Sequence, residues 1–385
     1  FTLASQSVDV LDELTESGKR AAVRVFMSDQ EGVPYQELLR EFEYGADDFG
    51  FEVVDPQKEA LQVRQYGVRE RGASVLEVSG EGRLVTERFV EQTEQALSNA
   101  LLRALRAEDR RISVVGGHGE GDLTQVGGEG FSIFSGRLKE LNVDIQTGIE
   151  LTALDDADAA EGHLLLLLGP QRALSADEQV HLARYLERGG DLLLLVDPGV
   201  VLGVEDLLSS EYGIELGDDF IVDLSGLGQM LGTSVSVPVV ITYADHPVTQ
   251  KMGRGGMSYF PLARTVSSMP RAVDATELAF TDRRAWGESD LSPLFHESGG
   301  GEVEYEPDSD RPGPLSLAVA VHTLGDSAEE GNLTRIVVIG DSDFARNQHF
   351  SEQGNGGLII HASRWLIEGE DALTIPARTA RFNAI

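Results

Sequence analysis

Three short turns carry the residues of this chain best suited to chemistry. They are Gly116-Gly117-His118-Gly119-Glu120, Asp197-Pro198, and Asp341-Ser342-Asp343 with Asn347 just beyond. Together they supply an imidazole, four carboxylates (Glu120, Asp197, Asp341, Asp343), a hydroxyl and an amide. Such groups in one crevice could hold a polar ligand or a cation, or move protons. Each turn also has a structural reading. The glycines suit a turn that needs positive φ. Asp197 before a proline can end a strand. Asp341 and Asp343 can accept backbone N–H groups and cap a short helix. On sequence alone both readings stay open.

A parallel sheet would bring these turns together. Leu164–Gly169 reads LLLLLG and Asp191–Pro198 reads DLLLLVDP, with an amphipathic stretch between them. Apolar runs without alternation suit strands buried on both faces, and the intervening stretch is long enough for a crossover helix. Ile112–Val115, Val143–Gln146, Leu315–Val321 and Thr334–Gly340 read as further strands of this parallel pattern. Ser132–Leu141 and Leu358–Leu366 read as helices. In an open parallel sheet, ligands sit beyond the carboxyl ends of the strands, which is where all three turns fall.

Before this region the pattern is β-α-β-α-β-β-α. Strands are expected at Ala21–Phe26, Phe51–Val54, Ala73–Val78 and Arg83–Thr86, and helices at Pro34–Tyr44, Lys58–Gln65 and Phe89–Leu105. That order fits a thioredoxin-like domain over residues 1–107. The charged Ala107–Arg111 marks the boundary to a second domain, 108–385. Residues 224–314 read as an irregular, β-rich insert, with Gly299–Gly313 as a mobile loop. Asp155, Asp156 and Asp158 form a solvated acidic loop that lacks the glycine and terminal glutamate of a calcium loop.

Composition removes several function classes. Asp and Glu number 65 against 31 Lys and Arg, a net charge of −34. This field repels phosphate backbones, so nucleic acid is not an expected partner. There are no cysteines, hence no thiol nucleophile, redox pair or thiolate-bound metal. No GxxxxGK[ST], GxSxG or HExxH motif occurs. His163 and His181 have no second histidine at metal-ligand spacing and read as structural or solvated residues. No cofactor, metal or catalytic residue is expected. No apolar run approaches the roughly 20 residues that span a bilayer, and Phe1–Leu14 lacks a signal-peptide pattern.

The ordered motifs resemble a family. Ile112–Glu120 (ISVVGGHGE), Leu174–Pro198 (LSADEQVHLARYLERGGDLLLLVDP), Val338–Asn347 (VIGDSDFARN) and Gly354–Leu366 (GNGGLIIHASRWL) are similar to segments of the auxiliary proteins of ABC-type transport systems. That family includes the gliding-motility component GldG. The helix carrying Leu97, Asn99, Ala100, Leu101 and Arg103 resembles its lead-in, and Thr2–Leu11 its start after a first membrane helix. Departures fall at Ile359, Ile360, His361 and Ser363, and the insert does not align.

The resemblance implies an α/β fold whose second domain is doubly wound, flavodoxin-like and similar to class I glutamine amidotransferases. That enzyme class uses a cysteine nucleophile, which this chain lacks. A similar module in intraflagellar transport proteins serves binding. The implied function is a non-catalytic extracytoplasmic (periplasmic) auxiliary subunit, anchored by transmembrane segments outside this chain. Its implied partners are permease and ATPase subunits, with homo- or hetero-oligomers open. His118, Glu120, Asp197, Asp341, Ser342, Asp343 and Asn347 are the candidate ligand residues, for a small molecule or glycan. The alternatives are a hydrolase-like or carbohydrate-acting enzyme using His118, Glu120, Asp341 and Asp343, or a solute-binding domain that delivers a ligand to the permease.

Overall fold

A computed structural model describes residues 3–28, 33–68, 72–80, 83–105, 110–141, 143–154, 163–252, 256–269, 275–292, 303–324 and 333–368. The chain divides into two compact units, Phe1–Glu108 with Glu368–Ile385, and Asp109–Ile367.

The first unit contains α1 (Ser5–Ser17), β1 (Arg20–Phe26), α2 (Val33–Gly45), β2 (Phe49–Val54), α3 (Ala60–Gln65), β3 (Ser74–Gly80), β4 (Arg83–Phe89) and α4 (Glu94–Leu105). Its sheet order is β2-β1-β3-β4, with β1 parallel to β2 and antiparallel to β3. Leu11, Leu14, Val23, Leu39, Phe42, Leu97 and Leu101 form its buried core. The helix expected from Phe89 starts five residues later, at Glu94. Phe89 instead pairs with Ser74 as the last residue of β4. Thr93 Oγ1 accepts the Ala96 N–H at 3.1 Å, which favours the later start.

The second unit holds β5 (Arg111–Val115), α5 (Ser132–Lys139), β6 (Asp144–Ile149), β7 (His163–Leu168), α6 (Ala176–Glu187), β8 (Asp191–Leu195), α7 (Glu205–Ser210), β9 (Thr242–Tyr243), β10 (Ala275–Phe280), β11 (Ser316–Leu324) and β12 (Leu333–Ile339). These strands form one eight-stranded sheet in the order β9-β10-β11-β12-β8-β7-β5-β6. The five strands β6, β5, β7, β8 and β12 run parallel. In chain order they lie 2-1-3-4-5, the flavodoxin-like doubly wound arrangement.

One expected strand runs the other way. The Leu315–Val321 run is β11, antiparallel to β12, so the parallel set ends at β12. With only residues 325–332 between them, β11 and β12 are too close in sequence for the crossover that parallel neighbours need.

The leucine runs are buried as their composition requires. Leu164–Leu168 and Leu192–Leu195 are each at most 1% exposed. Burying one leucine side chain contributes about 2 kcal/mol, so these nine residues are a large share of the unit's hydrophobic stabilisation. The helix between them begins with a capping box, Ser175 with Glu178. It ends before Gly189, whose φ of +98° allows the turn back to β8. His163 is buried, its Nε2 2.8 Å from Ser113 Oγ.

Within the 224–314 stretch, β9 and β10 join the main sheet, and other short strands form small sheets beside it. Phe220–Asp223, Ala285–Glu288 and Arg311–Pro312 make one, and Val239–Val240 pairs with Ser258–Tyr259. The acidic 155–158 loop and the start of the 299–313 loop lie outside the described residues.

Candidate functional site

The strand order fixes where a site would form. The chain leaves β5 for β6 on one side and later for β7 on the other, so the switch point lies between β5 and β7. The glycine-rich turn 116–121 starts at the end of β5, and 169–175 follows β7.

His118 is buried between two carboxylates. Its Nδ1 lies 2.9 Å from Glu120 Oε1 and its Nε2 3.1 Å from Glu178 Oε1. Its backbone N–H donates to Glu120 Oε2 at 2.7 Å. Burial alone would lower the imidazole pKa, but the hydrogen bonds and charges of Glu120 and Glu178 outweigh it and hold the pKa above its usual value. The ring is thus favoured as an imidazolium donating from both nitrogens. A general base needs a free ring lone pair, and here each nitrogen faces a carboxylate.

Glu178 was not among the candidates read from the sequence. Its signal was present, because Ser175-x-x-Glu178 is a capping-box pattern, which fixes the carboxylate at the helix start. Arg172 and Gln171 had no such signal. Arg172 Nη2 donates to the Gly117 carbonyl at 2.7 Å. Gln171 joins two turns, its N–H donating to His118 O at 2.8 Å and its Nε2 to Asp197 Oδ2 at 3.3 Å.

Beyond β8 and β12 a second cluster forms. Ser342 donates to Asp197 through both its N–H and its hydroxyl. Asp341 is fully buried; Oδ1 accepts the Asp343 N–H at 2.7 Å, and Oδ2 has no hydrogen-bond partner. Burial first, then the charges of Asp197 and Asp343, push its pKa well above the usual carboxylate value, so the neutral acid is favoured. Burial and Asp197 also raise Asp343, while its ion pair with Arg346 acts against them.

Asn347 does different work. Its Nδ2 donates to the Gln125 and Gly127 carbonyls at 3.0 and 2.7 Å, and its Oδ1 accepts the Ile133 N–H at 2.9 Å. It therefore fastens the loop before α5 and caps that helix. Six candidates thus fall into two linked groups, His118 with Glu120, and Asp197 with Asp341, Ser342 and Asp343, while Asn347 holds a separate loop.

A cleft of about 360 Å³ opens beside the first group, lined by Gly116, Gly117, Gly121, Thr147, Gly148 and Arg172 among others. Gly148 sits at a bulge in β6 with φ +72°, and a Cβ there or at Gly117 would meet nothing within 4 Å. Bare main chain thus borders the open space, where a ligand or another chain could approach closely. Among the described residues, no group of three or more His, Asp or Glu is placed to hold a metal ion.

A family model described as ABC-type uncharacterized transport system matches residues 109–358. No curated protein matches the chain. Among solved structures, the mmIFT52 N-terminal domain is similar at 17% identity and TM-score 0.46, covering 67% of this chain and 97% of its own. A putative ThuA-like protein from Bacteroides uniformis is similar at 14% identity and TM-score 0.36, covering 67% and 90%. The NTD_N/C domain of alkylhydroperoxide reductase AhpF from Enterococcus faecalis is similar at 16% identity and TM-score 0.21, covering 37% and 76%. None reaches a TM-score of 0.5, so the fold assignment rests on the strand order above.

Proposed function

Since the chain belongs to the family of ABC-type transport system auxiliary proteins, we propose that it is a GldG-type, extracytoplasmic subunit that binds or scaffolds rather than catalyses. The observation that carries this reading is the saturated His118. The one imidazole in the candidate turns has both nitrogens engaged by carboxylates. Ser342, the one candidate hydroxyl, is paired with Asp197 and not with a histidine. No nucleophile–base pair is therefore assembled from the candidate residues.

Other features support parts of this reading. The β-α-β-α-β-β-α order of β1 to α4 supports a thioredoxin-like N-terminal unit. No helix among the described residues is long and apolar enough to cross a membrane, so anchorage would rest on segments outside them. Copurification tests the assignment. The full-length protein, extracted from membranes with mild detergent, is expected to bring down a permease and an ATPase. Recovery in the soluble fraction without either subunit would overturn it.

The cleft at the switch point favours one second reading, a domain that hands a small solute or glycan to the permease. A thermal-shift screen of sugars and other small solutes tests it, because a ligand of the native state raises the melting temperature. A flat response across the screen would count against solute delivery while leaving the scaffold role standing.

A further inference from the structure

We propose that His118 is a proton-operated latch that ties the glycine-rich turn to α6 and thereby sets how far the adjacent cleft opens. The geometry separates two bonds of different kind. The bond to Glu120 lies within the turn and is backed by the His118 N–H on the same carboxylate. The bond to Glu178 links the turn to another element. Glu178 cannot follow the imidazole if it moves, because its other oxygen is held by the Ser175 N–H and hydroxyl at 2.8 and 2.6 Å.

A neutral imidazole has a single N–H. It can satisfy one of the two carboxylates, and its bare lone pair must then face the other at about hydrogen-bond distance. The bond within the turn is the one with backbone support, so deprotonation costs the bond to Glu178. Two other charged groups border this turn: Asp122, which lines the same cleft and accepts the Thr124 N–H, and Arg172, on the connection from β7 to α6, whose guanidinium grips the Gly117 carbonyl. That grip, the Gln171 N–H on His118 O and the Gly121 N–H on Leu168 O remain when the latch releases. The turn therefore loosens without detaching. Gly117, Gly119 and Glu120, on either side of His118, line the cleft, so the proton is read out as cleft width.

This device does not depend on the transporter reading and is tested without a partner or ligand. Amide hydrogen exchange of the full chain would be followed from pH 6 to 9, corrected for intrinsic rates, with the His118 ring titrated by NMR. Protection of the 117–121 amides, taken relative to β7, should fall about tenfold as His118 loses its proton, with the same midpoint. In His118→Gln the relative protection should be flat with pH. In Glu178→Gln the amide oxygen can keep the capping box while its NH2 faces His118 Nε2, so the His118 midpoint should drop and the profile should reverse, the turn being tighter with the ring neutral than charged. The latch is overturned if relative protection of the turn is constant while His118 titrates, or if His118→Gln keeps the wild-type profile.

Discussion

Ser342 closes on Asp197 with two hydrogen bonds, its N–H on one carboxylate oxygen at 2.6 Å and its hydroxyl on the other at 2.9 Å. The two residues follow neighbouring strands, β8 and β12, and the bonds bind those strand ends together. The end of β7 completes the joint. Gly169 has φ +64°, and a Cβ built there would stand 2.5 Å from Ser342 Oγ and 3.5 Å from Asp197 Oδ2.

Gly169→Ala should therefore destabilise the protein by roughly 2–4 kcal/mol, the sum of a left-handed backbone penalty and overpacking against Ser342. Gly136 is the control. It lies within α5, and a Cβ there meets nothing within 4 Å. Gly136→Ala should stabilise by roughly 0.5–1 kcal/mol through helix propensity. Urea denaturation of the two variants reads both. A Gly169→Ala protein as stable as wild type would show that the three strand ends are not locked together.

Asp341→Asn should stabilise the protein at pH 7. The folded pKa of Asp341 is raised, so the unfolded chain releases its proton first as pH rises. Stability is then lost from the ordinary carboxylate range up to the raised folded value, and the whole cost is present above it. Asparagine keeps the acceptor for the Asp343 N–H and places donors where Oδ2 has no partner. A gain of ~1–3 kcal/mol at neutral pH is expected, disappearing toward pH 4. Loss of stability at pH 7 in this variant would mean that the carboxylate is needed ionised.

Much of the fold was legible because it rests on side-chain pattern alone. The leucine runs of β7 and β8, the helix between them and the capping residues at Ser175 and Glu178 are local signals, and each was readable at its own position. The direction of β11 was not, since an apolar run buried on both faces reads alike in parallel and antiparallel neighbours. The candidate site was legible residue by residue but not in its pairing. The sequence places Asp197 and Ser342 more than a hundred residues apart, and nothing local says that they meet. Gln171 is a plain polar residue on a loop, and only the fold makes it the link between His118 and Asp197.

One buried histidine, His246, and one half-buried histidine, His361, should make the protein acid-labile. Burial, then the charge of His322, lowers the pKa of His246 to about 4. Burial, then Lys251 and Arg364, lowers that of His361 to about 4 as well. Unfolded histidines take up protons near pH 6.5. The unfolded state thus binds more protons between about pH 6.5 and 4, and stability falls as the pH falls through that window. The loss should be on the order of 2 kcal/mol per histidine, and His246→Gln should remove its own share. Thermal melts from pH 7.5 to 4.5 supply the slope. A wild-type slope unchanged by both His246→Gln and His361→Gln would rule these residues out as its source.

Asn347 allows the structural and ligand-binding readings of one candidate to be separated. Its amide donates to two backbone carbonyls and its oxygen accepts the second N–H of α5. If fastening this loop is its role, Asn347→Ala should cost roughly 1–2 kcal/mol, because the hydrogen bonds to the loop and to α5 are lost together. Asn347→Asp should cost more at pH 7, although it has the same shape. The new carboxylate would present oxygen to the Gln125 and Gly127 carbonyls where the amide presented hydrogen. At pH 4 part of the aspartate is protonated and can donate again, so the gap between the two variants should narrow. A residue kept for a ligand would behave differently. Both variants would then stay within about 0.5 kcal/mol of wild type at either pH, and this outcome would return Asn347 to the ligand candidates.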